Sequence, residues 1–296
     1  MSTTHDTSTS PQRATSRDRA RQLTVTASEI LCVVGTLYGV GLLGGTRVEE
    51  SAGGALSAEA TRIAPATPAF SIWSVIYLGL AAYTVWQWLP SSVIERTRST
   101  GWLAAVSMLL NAAWLLVTQQ GWIWASVVVI VALALVLGEL LRRLTQHAAT
   151  GIPERVVVDG TFGLYLGWVA VATCANVTAA LVASGLRPAD AVSDTLAVVV
   201  LLAAAGLGVV FARRLHGRWA VAAAMAWGLG WIAVGRSTGS PQALIVALAA
   251  AVAAIIVLAV VPWARQTSAR ARRTPAPAAT RASRRGRRRP RTGWSR

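Results

Sequence analysis

The chain has 296 residues, of which 54% are hydrophobic and 14% are charged, a balance typical of a polytopic membrane protein rather than a soluble domain. The net charge of +16 resembles that of a nucleic-acid-binding protein, but 12 of the 28 basic residues are arginines that follow Trp263 without any acidic residue. The rest of the chain carries only +4, because 16 arginines face 12 acids there, and we therefore expect no specific nucleic-acid partner. Two cysteines and three histidines stand in no metal-binding or disulfide pattern, so we expect no metal site.

Apolar segments long enough to cross a bilayer follow one another along most of the chain. Residues 1–22 are rich in Ser, Thr and Arg and lack an apolar run, which predicts a disordered tail; residues 263–296 are Arg-, Pro- and Ala-rich and predict a second one. The apolar segments between the tails predict eight transmembrane helices, hence an all-α, polytopic membrane helical bundle. They cover residues 23–45, 69–89, 102–118, 122–141, 156–183, 191–212, 219–234 and 243–261.

Glycines at small-xxx-small spacing occur in the first and fifth segments. Such pairs let a neighbouring helix approach closely in a membrane, so they predict tight helix contacts. They are Gly35, Gly39, Gly41 and Gly45 in the first segment, and Gly163 and Gly167 in the fifth.

Large aromatic and amide side chains share helix faces in the second and third segments. Phe70, Trp73 and Tyr77 stand at i, i+3 and i+7, and Asn111 and Trp114 stand at i and i+3. The loop before the second segment, residues 46–68, is acidic and contains too many turn-forming residues to be a helix.

The fifth segment has the most informative face of the chain. Tyr165, Trp168, Ala172 and Asn176 stand at i, i+3, i+7 and i+11, so the aromatic rings and the amide form one stripe. An amide that faced hydrocarbon would lack hydrogen-bond partners, and we therefore expect this stripe to face the protein interior.

The arginines predict the orientation of the bundle. Eight spans place both termini on one side, and the positive-inside rule assigns that side to the cytoplasm of a bacterial inner membrane. Asp159 is then expected to meet the basic residues at the cytoplasmic ends of the helices. Outside the tails, only four arginines fall on the outer side with the 46–68 loop: Arg47, Arg62, Arg187 and Arg236.

With this topology, the second, third and fifth segments present their aromatic and amide groups at a common depth beneath the 46–68 loop. Aromatic faces together with a few amides are the composition of a pocket for a large, flat, apolar ligand. The outer half of these segments contains no His, Asp, Glu or Lys, which argues against an enzyme that needs acid–base groups. Interhelical packing without any ligand is the alternative interpretation of the same residues.

Three motifs resemble those of the TspO/MBR family, the tryptophan-rich sensory proteins and translocator (peripheral-type benzodiazepine receptor) proteins. They are LNAAW at residues 110–114, the W-x-x-x-Y of Trp73 and Tyr77, and the Y-L-x-W-x-x-x-A-T-x-x-N of residues 165–176. The resemblance covers roughly residues 24–183, which are five spans in the family's order.

The resemblance implies a five-helix bundle whose cavity, covered by the loop between helices one and two, binds tetrapyrroles such as protoporphyrin. It implies sterols or synthetic aromatic ligands for some members. The positions that match the family's ligand-binding motifs are Trp73, Tyr77, Asn111, Trp114, Tyr165, Trp168, Ala172 and Asn176.

We therefore predict a five-helix TspO-like domain over residues 23–183, extended by three helices over residues 184–262. The predicted function is a ligand-binding sensor or transporter-like protein for a porphyrin or another flat apolar molecule, with no other cofactor. A porphyrin-degrading enzyme at the same pocket and a membrane scaffold without ligand are the alternatives. The expected partners are the lipid bilayer, anionic lipid at the basic C-terminal tail, and a second copy of the chain if the bundle dimerises.

Overall fold

A computed structural model describes residues 14–273, and in this range the chain is all-α, as predicted, with no strand. Shorter helical turns at Ser51–Gly54, Thr67–Ser71, Pro90–Ser92 and Ile152–Glu154 join the longer elements, and a π-helix over Arg155–Gly160 leads into the fifth long helix. The long helices are α1 (Ser16–Gly39), α2 (Ile72–Trp86), α3 (Glu95–Gln119), α4 (Ile123–Gln146), α5 (Thr161–Ala183), α6 (Asp190–Arg214), α7 (Trp219–Thr238) and α8 (Leu244–Arg273).

Helix α1 begins seven residues before the predicted span, so residues 16–22 are helical and do not belong to a disordered tail. Thr15 caps the helix in a capping box with Asp18, and these contacts satisfy backbone groups at its start. Arg98 of α3 donates to Asp18 at 2.9 Å and holds the pKa of that carboxyl well below its usual range.

The same helix ends at Gly39, not at Gly45, because Gly41 and Gly44 take left-handed backbone conformations with φ of 84° and 92°. At the other end of the chain, α8 continues ten residues beyond Trp263 into the predicted tail. The described residues exclude 1–13 and 274–296. Most arginines of the predicted C-terminal tail fall in the second of these ranges, so their predicted lipid contact lies outside the described residues.

Six of the helices are long and apolar enough to cross a membrane: α2 with its preceding turn, α3, α4, α5 with its preceding turns, α6 and α8. Helices α1 and α7 are not among these six, but each packs on a membrane-crossing helix, α1 on α3 and α7 on both α5 and α8. The polytopic helical membrane fold is therefore confirmed, and the crossing of α1 and α7 stays a prediction.

The predicted glycine contacts determine how the helices meet. Gly35 lies against Ala112, so α1 and α3 run close together and parallel. Gly163 and Gly167 lie against Ala220 and Val221 of α7, where any added Cβ would clash. The small face of α5 thus receives α7, and the side chains of its aromatic stripe contact α2, α3 and α4.

Candidate functional site

Five aromatic rings from α2, the turn before it and α5 contact one another in the bundle interior; we call them the aromatic cluster. Trp73 stacks on Tyr77 with ring centroids 5.2 Å apart and an interplanar angle of 16°. Its ring edge meets Tyr165 at 5.9 Å and Trp168 at 6.3 Å, and Phe70 meets Trp168 at 5.7 Å. The offset and edge-to-face geometries are those that aromatic quadrupoles favour.

The predicted amides join this cluster to α3 and α4. Asn111 Nδ2 donates to the Tyr77 hydroxyl at 3.0 Å, and Trp114 Nε1 donates to Asn176 Oδ1 at 3.1 Å. Asn176 Nδ2 in turn donates to the Ser126 hydroxyl of α4 at 2.9 Å. The structure therefore brings the predicted residues together, with Ala172 lining the same space, while their contact with a ligand stays a prediction.

Two buried polar atoms at the cluster have no hydrogen-bond partner among the described residues. They are Nε1 of Trp168, whose side chain is 2% exposed, and Oδ1 of Asn111, which is 1% exposed. Buried polar groups are nearly always paired, and an unpaired one costs about 1–3 kcal/mol. One donor and one acceptor are thus unsatisfied beside a set of aromatic faces.

The space around the cluster is small and covered. A cavity of about 50 Å³ lies between Trp114, Trp168 and Asn176 and the loop residues Leu56 and Pro65, and a second of about 20 Å³ lies deeper between the aromatic residues. The loop between α1 and α2 therefore lies over the candidate site, as predicted, and the rings themselves fill most of the interior.

Helix α7 holds this cover loop in place through a buried arginine. Arg236 is 1% exposed and donates to the backbone oxygens of Ala58 at 2.7 Å and Thr61 at 3.0 Å. A backbone bond from Ala66 N to the Trp231 oxygen, at 3.2 Å, adds to it. Sequence analysis placed Arg236 merely on the outer side, because no pattern connects it with carbonyls about 175 residues earlier.

Three more contacts connect the loop region with the last three helices. Trp227 Nε1 of α7 donates to the Ala69 oxygen at 2.9 Å, at the turn that leads into α2. Arg62 pairs with Asp190 at 2.8 Å and Asp194 at 3.0 Å, both on α6. The cover of the candidate site is therefore fixed from outside the five helices that carry the resemblance.

Sequence analysis also missed a buried carboxylate next to the cluster. Glu29 of α1 is 6% exposed, and neither of its oxygens has a hydrogen-bond partner among the described residues. It stands one helical turn before Cys32, whose sulfur accepts a hydrogen bond from Asn111 Nδ2 at 3.4 Å. An acid within the first apolar segment was the available signal, since intramembrane ionisable residues are functional candidates by default.

The fold and the site define a class: a polytopic helical membrane protein whose interior presents aromatic and amide groups beneath a fixed loop. The sequence model of the family described as TSPO-like protein matches residues 23–262, and the chain belongs to that family. The match extends through α6, α7 and most of α8, beyond the five spans that carry the motif resemblance. Comparisons with curated proteins and with solved structures gave no match.

Proposed function

We propose that this TSPO-like membrane protein binds a flat, apolar, tetrapyrrole-like molecule at the aromatic cluster and acts as a ligand sensor or transporter-like protein. The observation that supports this most directly is that Trp168 has an unpaired donor and Asn111 an unpaired acceptor, and both residues line the same small cavity. A tetrapyrrole offers pyrrole N–H groups to an acceptor, carboxylates to a donor, and two faces for aromatic stacking. The chemistry of the cluster therefore fits such a ligand.

The volume of the cavities at the aromatic cluster sets a condition for ligand binding. Pockets for ligands of this kind have volumes of about 300–1,000 Å³, whereas the cavities here measure about 50 and 20 Å³. Binding therefore requires the cover loop to move away and the side chains that line these two cavities to move apart. The described arrangement is a closed form, and the loop is the entry route because it forms one wall of the larger cavity.

Titration with protoporphyrin tests the proposal through the porphyrin absorption band and tryptophan quenching. Trp168→Phe keeps an aromatic face but removes the unpaired donor, so affinity should fall about fivefold for a lost hydrogen bond of about 1 kcal/mol. The smaller ring should lower stability through lost packing, but the lost donor should add nothing to that, because it has no partner in the ligand-free protein. Trp122→Phe is the matched control, since that ring is 62% exposed. Equal weakening by both changes would indicate non-specific adsorption.

A porphyrin-degrading enzyme is the second candidate, and Glu29 is the observation that favours it. A carboxyl group next to the cluster supplies the acid–base group that the sequence analysis found missing. Time-dependent loss of the porphyrin band with a new product, abolished in Glu29→Gln, would support turnover. Stable absorbance with saturable quenching would support binding alone, and no quenching at all would leave the scaffold alternative.

A further inference from the structure

A larger cavity, of about 370 Å³, lies at the opposite end of the bundle, and we call it the basic pocket. The start of α3, the end of α4, the π-helix before α5, the α6–α7 turn and α8 all contribute to it. Its charged and titratable lining residues are Arg96, Arg155, Arg218, Arg265, Asp159, His147 and His216.

The acidic groups at this pocket are already used by two of its arginines. Arg96 donates to Glu154 at 2.6 Å and also to Asp159, and both arginine and glutamate are about 4% exposed. Arg218 donates to Asp159 at 2.7 Å. This buried network fixes one wall of the pocket and neutralises both acids. The predicted meeting of Asp159 with basic residues is thereby confirmed.

Arg155 and Arg265 carry positive charges that no acidic residue of the pocket neutralises. Both are exposed, and neither forms an ion pair with any residue in the described range. Two further charges on the lining thus face the opening of the pocket without a protein counterion. A guanidinium in this setting favours an anion with several oxygens, above all a phosphate, which it can bind with two parallel hydrogen bonds.

The backbone has two unusual features at the same place. Residues Arg155–Gly160 form a π-helix, a rare widening of the helix that occurs frequently at functional sites. His216 has a φ of 56°, the left-handed conformation that non-glycine residues seldom adopt. The π-helix contributes Arg155 and Asp159 to the lining, and the α6–α7 turn contributes His216.

The surface beside the pocket is apolar. Ile152 and Val156 stand at i and i+4 on either side of Arg155 and are 74% and 64% exposed. Trp219, which lines the pocket, is 46% exposed, and tryptophan is enriched where the bilayer meets water. A ligand here can therefore place an anionic group on the arginines and hydrocarbon chains along the neighbouring helix surface.

We propose that the basic pocket binds the phosphate headgroup of an anionic phospholipid, with Arg155 and Arg265 as the phosphate contacts and Ile152 and Val156 beside the acyl chains. Basic pockets between transmembrane helices are suited to such headgroups. The predicted orientation places this end in the cytoplasmic leaflet, whose surface is negative. This site is separate from the aromatic cluster, so it does not depend on the proposed porphyrin binding.

The test uses the purified full-length protein in neutral detergent and native mass spectrometry or thermophoresis. The probe is dioctanoyl-phosphatidylglycerol, with dioctanoyl-phosphatidylcholine and inorganic phosphate in parallel. Arg155→Gln should weaken phosphatidylglycerol binding about tenfold, because a charge-assisted hydrogen bond is lost. Arg214→Gln is the matched control: it removes the same charge from an exposed position at the same end but outside the lining. Its affinity should stay within about twofold of the parent protein.

Each other outcome overturns the proposal. If Arg155→Gln and Arg214→Gln weakened lipid binding equally, the lipid would be attracted only by the general positive charge of this end. The C-terminal arginines cannot explain a difference between the variants, because every variant contains them. Phosphatidylcholine that bound as well as phosphatidylglycerol would show an apolar groove without headgroup recognition. Inorganic phosphate that bound as tightly as the lipid would assign the pocket to a soluble anion. Circular dichroism of each variant verifies that the helices remain folded.

Discussion

Arg236 offers the sharpest test of how the candidate site is closed. Replacing it with Met keeps an unbranched apolar stem but removes the guanidinium that donates to the Ala58 and Thr61 oxygens. Each such charge-assisted bond contributes about 1.5–3 kcal/mol. The unpaired Nε of Arg236 and the free-energy cost of burying a cation offset part of the stabilisation that these two bonds give. We expect the change to weaken the hold on the loop by about 2 kcal/mol, which is about a 30-fold larger opening constant.

Hydrogen exchange by mass spectrometry measures this opening directly. Amides of residues 55–66 should exchange about 30-fold faster in Arg236→Met, whereas those in the middle of α5 should keep their protection. Arg187→Met is the control, because that arginine is exposed at the same end and forms no hydrogen bond to the loop within the described residues. Porphyrin association should also become faster. Unchanged exchange over residues 55–66 would refute the idea that α7 keeps the site closed.

Three further predictions concern the interior and the orientation. Asn176→Leu should lower the free energy of unfolding by about 1–2 kcal/mol, and with it the melting temperature, because both ends of the amide are bonded to protein groups. A change in porphyrin affinity without a change in stability would contradict this. Glu29→Leu should raise the melting temperature, because it removes an unpaired buried carboxyl, and destabilisation would reveal a partner that the closed form lacks. A reporter that is active only in the cytoplasm should work at the C-terminus and fail at Gly53. Activity at Gly53 would reverse the topology.

The helix periodicity predicted which side chains share a face because it needs only local information. Tyr165, Trp168 and Asn176 share a stripe in any regular helix, and Trp73 and Tyr77 do so one element earlier. Their encounter follows once the helices are packed, and the glycine face of α5 determines which side of that helix receives its large neighbour. The candidate site is therefore largely encoded in spacing.

The parts that could not be predicted depend on groups that carry no sequence pattern. Arg236 binds backbone carbonyls, which every residue has, so nothing in the loop sequence identifies its partners. The end of α1 depends on the left-handed conformations of Gly41 and Gly44, whereas the sequence alone equally allows them to continue a helix. Residues 156–160 fit a regular helix by composition, and only the structure shows the π-helix at the basic pocket.

Contacts of α7 with α5 and with the cover loop give the last three helices a structural role. Gly163 and Gly167 admit α7 against the back of α5, and from that position Trp227 and Arg236 reach the turn before α2 and the cover loop. The loop thus lies between the aromatic cluster on one side and α7 on the other. A five-helix bundle that ended at residue 183 would leave the same loop without these bonds. We therefore expect ligand access to depend on α7, so that a signal which shifts α7 would change access to the cluster without altering the residues that line it.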